Sequence, residues 1–202
     1  MSQTNKRSLY GVKAKTMETR LAPIENPSSL WMKIVFFITK RKFGKVLSPL
    51  KVAYARLPLP FALFANRISE LDAKISLHPA MALMVKLHVA QINSCHFCID
   101  IAKSIAIQKF KQTEKFYELN DFRSSNLYSP SERAALLLAE ELTVNKAITD
   151  DTFENAKRHF TERQLVEIAW LVATEHYYNM INLAFQLESD NLCDISQKKL
   201  AH

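Results

Sequence analysis

Apolar residues along this chain recur every three or four positions, which is the period of an amphipathic α-helix, and no stretch alternates convincingly as a β-strand. The pattern predicts helices over about residues 30–43, 51–56, 61–73, 80–93, 99–110, 151–159 and 162–187. A short helix is also expected beyond residue 113, and a long one opens at residue 130. The chain is therefore predicted to be all-α.

Capping and turn residues support this interpretation. The segments Ser129–Glu132 and Thr161–Gln164 both match a capping box, and Pro79 fits the first turn of a helix, where its missing N–H has no structural role. The chain contains only two glycines in 202 residues, whereas sheet proteins use glycine in tight turns. Both observations favour helices joined by short polar turns.

The first predicted helix is apolar over much of its surface but too short to span a bilayer, which needs about 20 apolar residues. We expect its apolar face to pack on the domain or on a second subunit. Contact of residues 28–45 with a membrane surface is the alternative. The predicted face consists of Leu30, Trp31, Ile34, Val35 and Ile38, widened by Phe36 and Phe37. In the helix over 61–73, the predicted inward residues are Leu63, Phe64, Ile68 and Leu71.

The formal charge of +7 is concentrated near the N-terminus. Residues 1–60 hold 12 Lys and Arg against Glu18 and Glu25, a net of +10, and the remainder holds 15 basic and 18 acidic residues, a net of −3. We interpret this region as a solvated basic arm and helix face, and no nucleic-acid partner is expected. Three cysteines are too few for a disulfide scaffold and indicate a reducing compartment. Residues 1–27 contain no apolar secretory segment, so we expect a cytoplasmic location.

The stretch Leu83–Lys109 places Cys95 and Cys98 between two helical runs. A C-x-x-C pair indicates a redox motif or half of a zinc site, and backbone N–H groups at a helix start favour a thiolate. A zinc site needs two further ligands, and completion by His88 and His96 would require strained local geometry. We therefore predict no metal and no cofactor.

Several segments resemble the carboxymuconolactone decarboxylase and alkyl hydroperoxidase D superfamily. Residues 87–100 (LHVAQINSCHFCID) are similar to its central motif, in which a helix ends in I-N-G-C-x-x-C. Residues 129–143 and 160–172, with Tyr178-Asn179 and Asn182-Leu183-Ala184, resemble its closing helices. The resemblance covers about residues 45–187. It implies an all-helical domain over 46–190, preceded by a basic arm and helix over 1–45 and followed by a polar tail over 191–202.

The resemblance also implies an activity. In the alkyl hydroperoxidase D branch the second cysteine attacks a hydroperoxide, the first resolves it to a disulfide, and a dithiol donor restores the pair. Carried over, Cys98 is the peroxidatic thiolate and Cys95 the resolving thiol of an antioxidant peroxidase or disulfide oxidoreductase. The implied partners are a small-molecule peroxide, a dithiol electron donor and further copies of the chain in a trimer or hexamer.

Two positions depart from the peroxidase motif. Ala102 stands where the motif has a His and Leu83 where it has a Glu, so both members of the usual proton relay are replaced. Acid–base assistance of this kind contributes roughly 10²–10⁴-fold in rate. His96 inside the pair and His88 seven residues before Cys95 are the candidate substitutes. His88 shares a face with Cys95 if the helix is unbroken, and is otherwise a surface or interface histidine.

Other residues and functions stay open at this point. The segment Glu175–Tyr178 is expected to serve packing and oligomer contacts, and Cys193 to be an ordinary thiol. One alternative function is decarboxylation of a small cyclic acid, which does not require the cysteine pair. Another is a non-catalytic binding or scaffold role, in which the basic N-terminal region contacts an acidic partner.

Overall fold

The structure is a computed structural model that describes residues 19–110 and 113–200, and every regular element in those ranges is helical. The prediction of an all-α chain is confirmed. No helix of the described ranges is long and apolar enough to cross a membrane. The helices are α1 (Leu30–Phe43), α2 (Ser48–Val52), α3 (Leu59–Asp72), α4 (Pro79–Ile92), α5 (His96–Lys109), α6 (Glu114–Tyr117), α7 (Pro130–Asn145), α8 (Asp150–Lys157), α9 (Glu162–Ala184) and α10 (Leu192–Leu200), with short 3₁₀ turns at Tyr54–Arg56 and Leu119–Asp121.

Helix α4 lies at the centre of the fold and packs against α5, α7 and α9. It is apolar on most sides, a pattern typical of a helix that is buried all round. Val85 and Val89 pack towards α7 and α9, whereas Met84 and Leu87 pack towards α5 and α6. The turn that follows α4 therefore begins inside the core, among the helices that surround α4.

Both predicted capping boxes are present. The Ser129 hydroxyl accepts from the Glu132 N–H at 3.2 Å, while the Glu132 carboxylate accepts from the Ser129 N–H at 2.7 Å. Thr161 and Gln164 make the same reciprocal pair at the start of α9. Each capping side chain stabilises its helix by about 1 kcal/mol, which fixes where α7 and α9 begin.

Helix α1 packs on the domain through only part of the predicted apolar face. Met32 and Phe36 are buried against Tyr54, with Val35 partly buried beside them, whereas most of the predicted face is exposed. Residues 32 and 36 lie on the side of the helix away from these exposed residues, because a helix turns about 100° per residue. Because α1 is apolar on both sides, its periodicity alone does not decide which side is buried. The predicted homo-oligomer stays a prediction, and this exposed face is where a second subunit would be sought. Its exposed residues are Leu30, Trp31, Ile34, Phe37 and Ile38.

The inward face predicted for α3 is wrong in part. Ile68 is buried as expected, but Leu63 and Phe64 are more than half exposed. The side that packs on Tyr54 carries the small side chain of Ala62, which brings the helix close to its neighbours. The helix expected over 51–56 is α2 followed by a 3₁₀ turn.

The segment predicted as a polar tail over 191–202 contains helix α10, which packs along α5. The Asp100 carboxylate of α5 accepts from the backbone N–H of Leu192 at 2.8 Å and of Cys193 at 3.0 Å, so a side chain from another helix caps α10. Ser104 and Ser196 also bond across the two helices at 2.7 Å. Within the described residues, the C-terminal segment is therefore part of the packed structure; the domain boundaries at 45 and 190 stay predictions.

Candidate active site

The two cysteines of the C-x-x-C motif form a disulfide at the junction of α4 and α5. Helix α4 ends at Ile92, and Ser94 adopts a left-handed conformation (φ 54°) that turns the chain. Cys95 is the residue that caps α5, and Cys98 is the third residue of that helix. Their Cα atoms are 5.3 Å apart, within the range of ordinary disulfides. One helical turn thus brings the two sulfurs within disulfide reach.

The disulfide is enclosed. Cys95 and Cys98 are 1% and 3% exposed, and they share an apolar cluster with Ala90 and Phe97. Leu47, which precedes α2, is among the partly buried residues packed on this cluster. The pair is therefore shielded from bulk water, and a reactant can reach it only past the side chains that cover it, such as Leu47.

One polar side chain reaches the sulfurs. The amide Nδ2 of Asn182, near the end of α9, lies 3.2 Å from Cys98 Sγ and 3.9 Å from Cys95 Sγ. Asn182 is itself 3% exposed. Among the described residues it is the only side chain whose hydrogen bond reaches a sulfur of the pair.

Asn182 belongs to a polar stripe on the buried side of α9. Glu175, Asn179 and Asn182 are spaced i, i+4 and i+7, so they lie on one face of the helix. Asn179 donates to Glu175 at 2.7 Å and accepts from Asn93 at 2.9 Å, which ties the turn before Cys95 to α9. No role was predicted for these asparagines. The available signal was their spacing on one face of a helix whose core-facing side is otherwise mostly apolar.

The far end of the stripe is a buried charge cluster. Lys86 of α4 lies 2.7 Å from an Asp72 carboxylate oxygen and 3.6 Å from one of Glu175, with the Tyr178 ring 5.2 Å away. Burial raises the pKa of the Glu175 carboxyl. Burial works against the charged form of Lys86, but the Glu175 and Asp72 carboxylates outweigh it and raise the pKa of Lys86. Glu175 and Tyr178 thus point the same way, as their spacing predicts.

The structure does not bring His88 into hydrogen-bond contact with the cysteines. Because α4 ends at Ile92, the unbroken helix that would align His88 with Cys95 is absent. The His88 Nε2 atom instead lies 3.4 Å from Glu140, and the ring meets Phe122 edge-on. Burial lowers the pKa of His88, and the nearby Glu140 carboxylate only partly offsets this effect.

His96 lies beside the pair but faces outward. Its Nδ1 atom is 2.7 Å from the Glu188 carboxylate, and its side chain is 60% exposed. The two relay positions of the family motif, Leu83 and Ala102, lie in α4 and α5 with apolar side chains. Of the four candidate residues, Cys95 and Cys98 are bonded to each other and His96 flanks them, whereas His88 belongs to a different cluster.

Two cavities are lined by residues other than the cysteine pair. One of about 370 Å³ is bordered by Met84, Phe116 and the ion pair between Lys115 and Glu132. A second of about 230 Å³ is lined by residues of α7 and α9, including His176. Among the described residues, no cluster of three His, Cys, Asp or Glu side chains is arranged to hold a metal ion.

Two uncharacterised bacterial proteins are similar to this chain in sequence. YnjA of Escherichia coli is 30% identical over 165 residues, which covers 81% of this chain and 90% of YnjA. YdfG of Bacillus subtilis is 31% identical over 103 residues, which covers 50% of this chain and 70% of YdfG. No protein-family model matches the chain.

Solved structures with the same fold cover most of the chain. A protein of Agrobacterium tumefaciens described as a putative antioxidant defence protein AhpD has a TM-score of 0.64 at 21% identity, covering 68% of this chain and 96% of that one. A peroxidase-related protein of Silicibacter gives 0.73 at 21% identity, with 87% and 94% covered. The debrominase Bmp8, in complex with a tribromopyrrole, gives 0.75 at 17% identity, with 91% and 98% covered. At these identities the similarity shows a shared fold.

Proposed function

The chain shares the fold of AhpD-like and peroxidase-related proteins, and on that premise we propose that it is a thiol-dependent oxidoreductase of the carboxymuconolactone decarboxylase and alkyl hydroperoxidase D-like superfamily. In this proposal Cys95 and Cys98 alternate between a dithiol and a disulfide. The observation that carries it is the enclosed Cys95–Cys98 disulfide at the start of α5, with an amide donor 3.2 Å from Cys98 Sγ. A pair kept only for packing would not need a polar partner.

The electron balance of the cycle is simple with a hydroperoxide as oxidant. The Cys98 thiolate attacks the terminal peroxide oxygen, the O–O bond breaks, and the departing alkoxide takes up a proton to leave as an alcohol. The Cys95 thiol then attacks the resulting sulfenic acid, which releases water and forms the disulfide. Two electrons pass from the thiols to the peroxide, and a dithiol donor returns them to the protein in the next half-cycle.

Antioxidant defence is the role that fits this cycle, with the hydroperoxide as the proposed oxidant. The solved neighbours include a protein described as peroxidase-related and another described as a debrominase. Their similarity supports an enzymatic role for this fold, and it leaves the identity of the oxidant to experiment. The decarboxylase-like and scaffold alternatives do not use the disulfide, so loss of the cysteines separates them from this proposal.

The test is consumption of cumene hydroperoxide by the full chain with dithiothreitol as donor. We expect turnover in the wild type and a fall to the uncatalysed rate in Cys98→Ser, because this substitution removes the sulfur that attacks the peroxide. Cys95→Ser should no longer form the disulfide, so any turnover that it keeps depends on direct reduction of the Cys98 sulfenic acid by dithiothreitol. Cys193→Ser is the matched control, since it removes the third thiol and should keep wild-type turnover. Activity that survives both substitutions would contradict the proposal.

A further inference from the structure

The contact between Asn182 and Cys98 distinguishes the two cysteines. The amide nitrogen is 0.7 Å closer to Cys98 Sγ than to Cys95 Sγ (3.2 against 3.9 Å). We propose, on the basis of the dithiol cycle above, that Asn182 stabilises the thiolate of Cys98 in the reduced protein and thereby makes Cys98 the attacking cysteine. Cys98 was assigned that role from family resemblance alone, and the geometry now supplies an independent physical reason.

Position along α5 does not make this distinction. Cys95 and Cys98 both lie within the first turn, where backbone N–H groups favour negative charge. The helix end therefore helps either sulfur to ionise. The side-chain donor from α9 reaches Cys98 at a normal N–H···S distance and Cys95 only marginally, so it adds a preference that the helix cannot provide.

The charged groups around the pair are engaged with other partners. On α5, His96 pairs with Glu188, and Asp100 accepts from the first N–H groups of α10. After α9, Asp190 is held by Lys45 and by the Ser48 N–H and hydroxyl. These contacts leave the Asn182 amide as the polar side-chain group that faces Cys98 directly.

A neutral donor stabilises an anion without titrating itself. The amide therefore supports the thiolate at every pH at which the protein is folded, unlike a histidine, which gains or loses its charge near neutral pH. A hydrogen bond to a charged group shifts an ionisation equilibrium by roughly ten- to a hundredfold. Asn182 thus acts differently from the His and Glu that Ala102 and Leu83 replace. It stabilises the negative charge of the Cys98 thiolate but does not transfer a proton.

The same contact affects the redox equilibrium. A group that stabilises the thiolate favours the reduced form, which makes the disulfide a stronger oxidant. Removing the donor should make the Cys95–Cys98 disulfide harder to reduce, and a tenfold change in that equilibrium corresponds to about 30 mV. Thiol ionisation and redox potential therefore give two separate measurements of one interaction.

The experiment compares the reduced full-length wild type with Asn182→Leu, which keeps the side-chain size but removes the donor. Alkylation of each cysteine by iodoacetamide is followed by mass spectrometry across pH. We expect Cys98 in the wild type to ionise below the ordinary cysteine pKa of about 8.5 and faster alkylation at Cys98 than at Cys95. In Asn182→Leu, Cys98 alkylation at pH 7 should fall roughly tenfold.

Two controls separate this effect from a change in folding. Asn66→Leu makes the same substitution at an exposed position of α3 and should leave every thiol unchanged. Asn182→Asp keeps the side-chain shape but places a carboxylate beside the sulfur, so it should suppress Cys98 ionisation further. Helical circular dichroism and glutathione redox titration accompany both Asn182 variants. The titration should show a less readily reduced disulfide in Asn182→Leu.

An unchanged Cys98 ionisation profile in folded Asn182→Leu would overturn the inference, as would faster alkylation of Cys95 than of Cys98 in the wild type. In either case peroxide turnover that still depends on both cysteines would leave the proposed dithiol cycle standing. Wild-type thiols that remain unreactive up to the pH at which ordinary cysteines ionise would count against the inference and the cycle together.

Discussion

At the scale of single residues, the buried polar side chains of α9 reach the disulfide and the buried charge cluster, whereas the histidines suggested by the motif do not contact the sulfurs. His88 was a candidate because of its spacing from Cys95. The end of α4 at Ile92 takes Cys95 off the helix face of His88, and His88 contacts Glu140 instead. Asn182 was visible in the sequence, but only the structure shows its distance to the sulfurs. Spacing within one helix is readable from a sequence, whereas a contact between α5 and α9 depends on packing between helices.

Lys86 is the residue whose loss should affect stability most clearly. Lys86→Met leaves the carboxylates of Asp72 and Glu175 buried without their cation, and we expect the free energy of unfolding to fall by roughly 3–5 kcal/mol at pH 7. Chemical denaturation measures the change. Arg67→Met is the control, because it breaks a solvent-exposed pair with Glu70 and should change the free energy of unfolding little.

The pH dependence of this variant has a definite sign. Burial already holds the pKa of Glu175 above its unfolded value, and loss of Lys86 raises it further. A carboxyl with a raised folded pKa destabilises the folded protein fully above that pKa, by a decreasing amount between the folded and unfolded pKa values, and not at all below the unfolded value. The stability deficit of Lys86→Met should therefore shrink as the pH falls from 7 towards the unfolded carboxyl pKa of about 4.3. A deficit that is constant over this range would contradict the assignment.

At the scale of elements, helix positions were largely predictable and buried faces were not. The capping boxes located α7 and α9 because the signal is local: one side chain bonds to its own first turn. The inward face of α3 was predicted wrongly in part because this helix is apolar on more than one side, and the neighbours around Tyr54 select Ala62. For α1, the neighbours around Tyr54 select the side that carries Met32, and packing of its exposed face on a second subunit stays a prediction. Helix α10 was missed because its N-terminus is capped from α5, by a residue 92 positions away along the chain.

Asp100 should hold α10 in place. Asp100→Ala removes the acceptor for the N–H groups of Leu192 and Cys193, and an unsatisfied buried donor costs about 1–3 kcal/mol. We expect hydrogen exchange in α10 to accelerate roughly tenfold or more. Burial and the Asp100 carboxylate raise the pKa of Cys193 to about 12, so this variant should also alkylate faster at Cys193.

The control for this prediction is Asp151→Ala, which removes an exposed acidic residue from the first turn of α8. It should leave exchange in α10 unchanged. Equal α10 protection in the wild type and in Asp100→Ala would show that packing on α5, including the bond between Ser104 and Ser196, suffices to hold the helix.

At the scale of the whole molecule, the helices enclose the Cys95–Cys98 disulfide within the core. Helix α4 delivers Cys95 from the centre of the fold, α9 supplies Asn182, and α10 packs along the helix that contains Cys98. The sequence motif located the cysteine pair, and the family resemblance predicted the helical fold that the structure has. The route by which a reactant reaches an enclosed disulfide depends on how all the helices pack, which no local pattern encodes.

The most direct measurement of the central claim is a thiol count on the fully reduced chain before and after one equivalent of cumene hydroperoxide. Mass spectrometry resolves the three cysteines. We predict the rapid loss of two thiols, a Cys95–Cys98 linkage and a Cys193 that stays reduced. Three thiols that persist after the peroxide is added would contradict the proposal that this pair is a peroxide-driven redox centre.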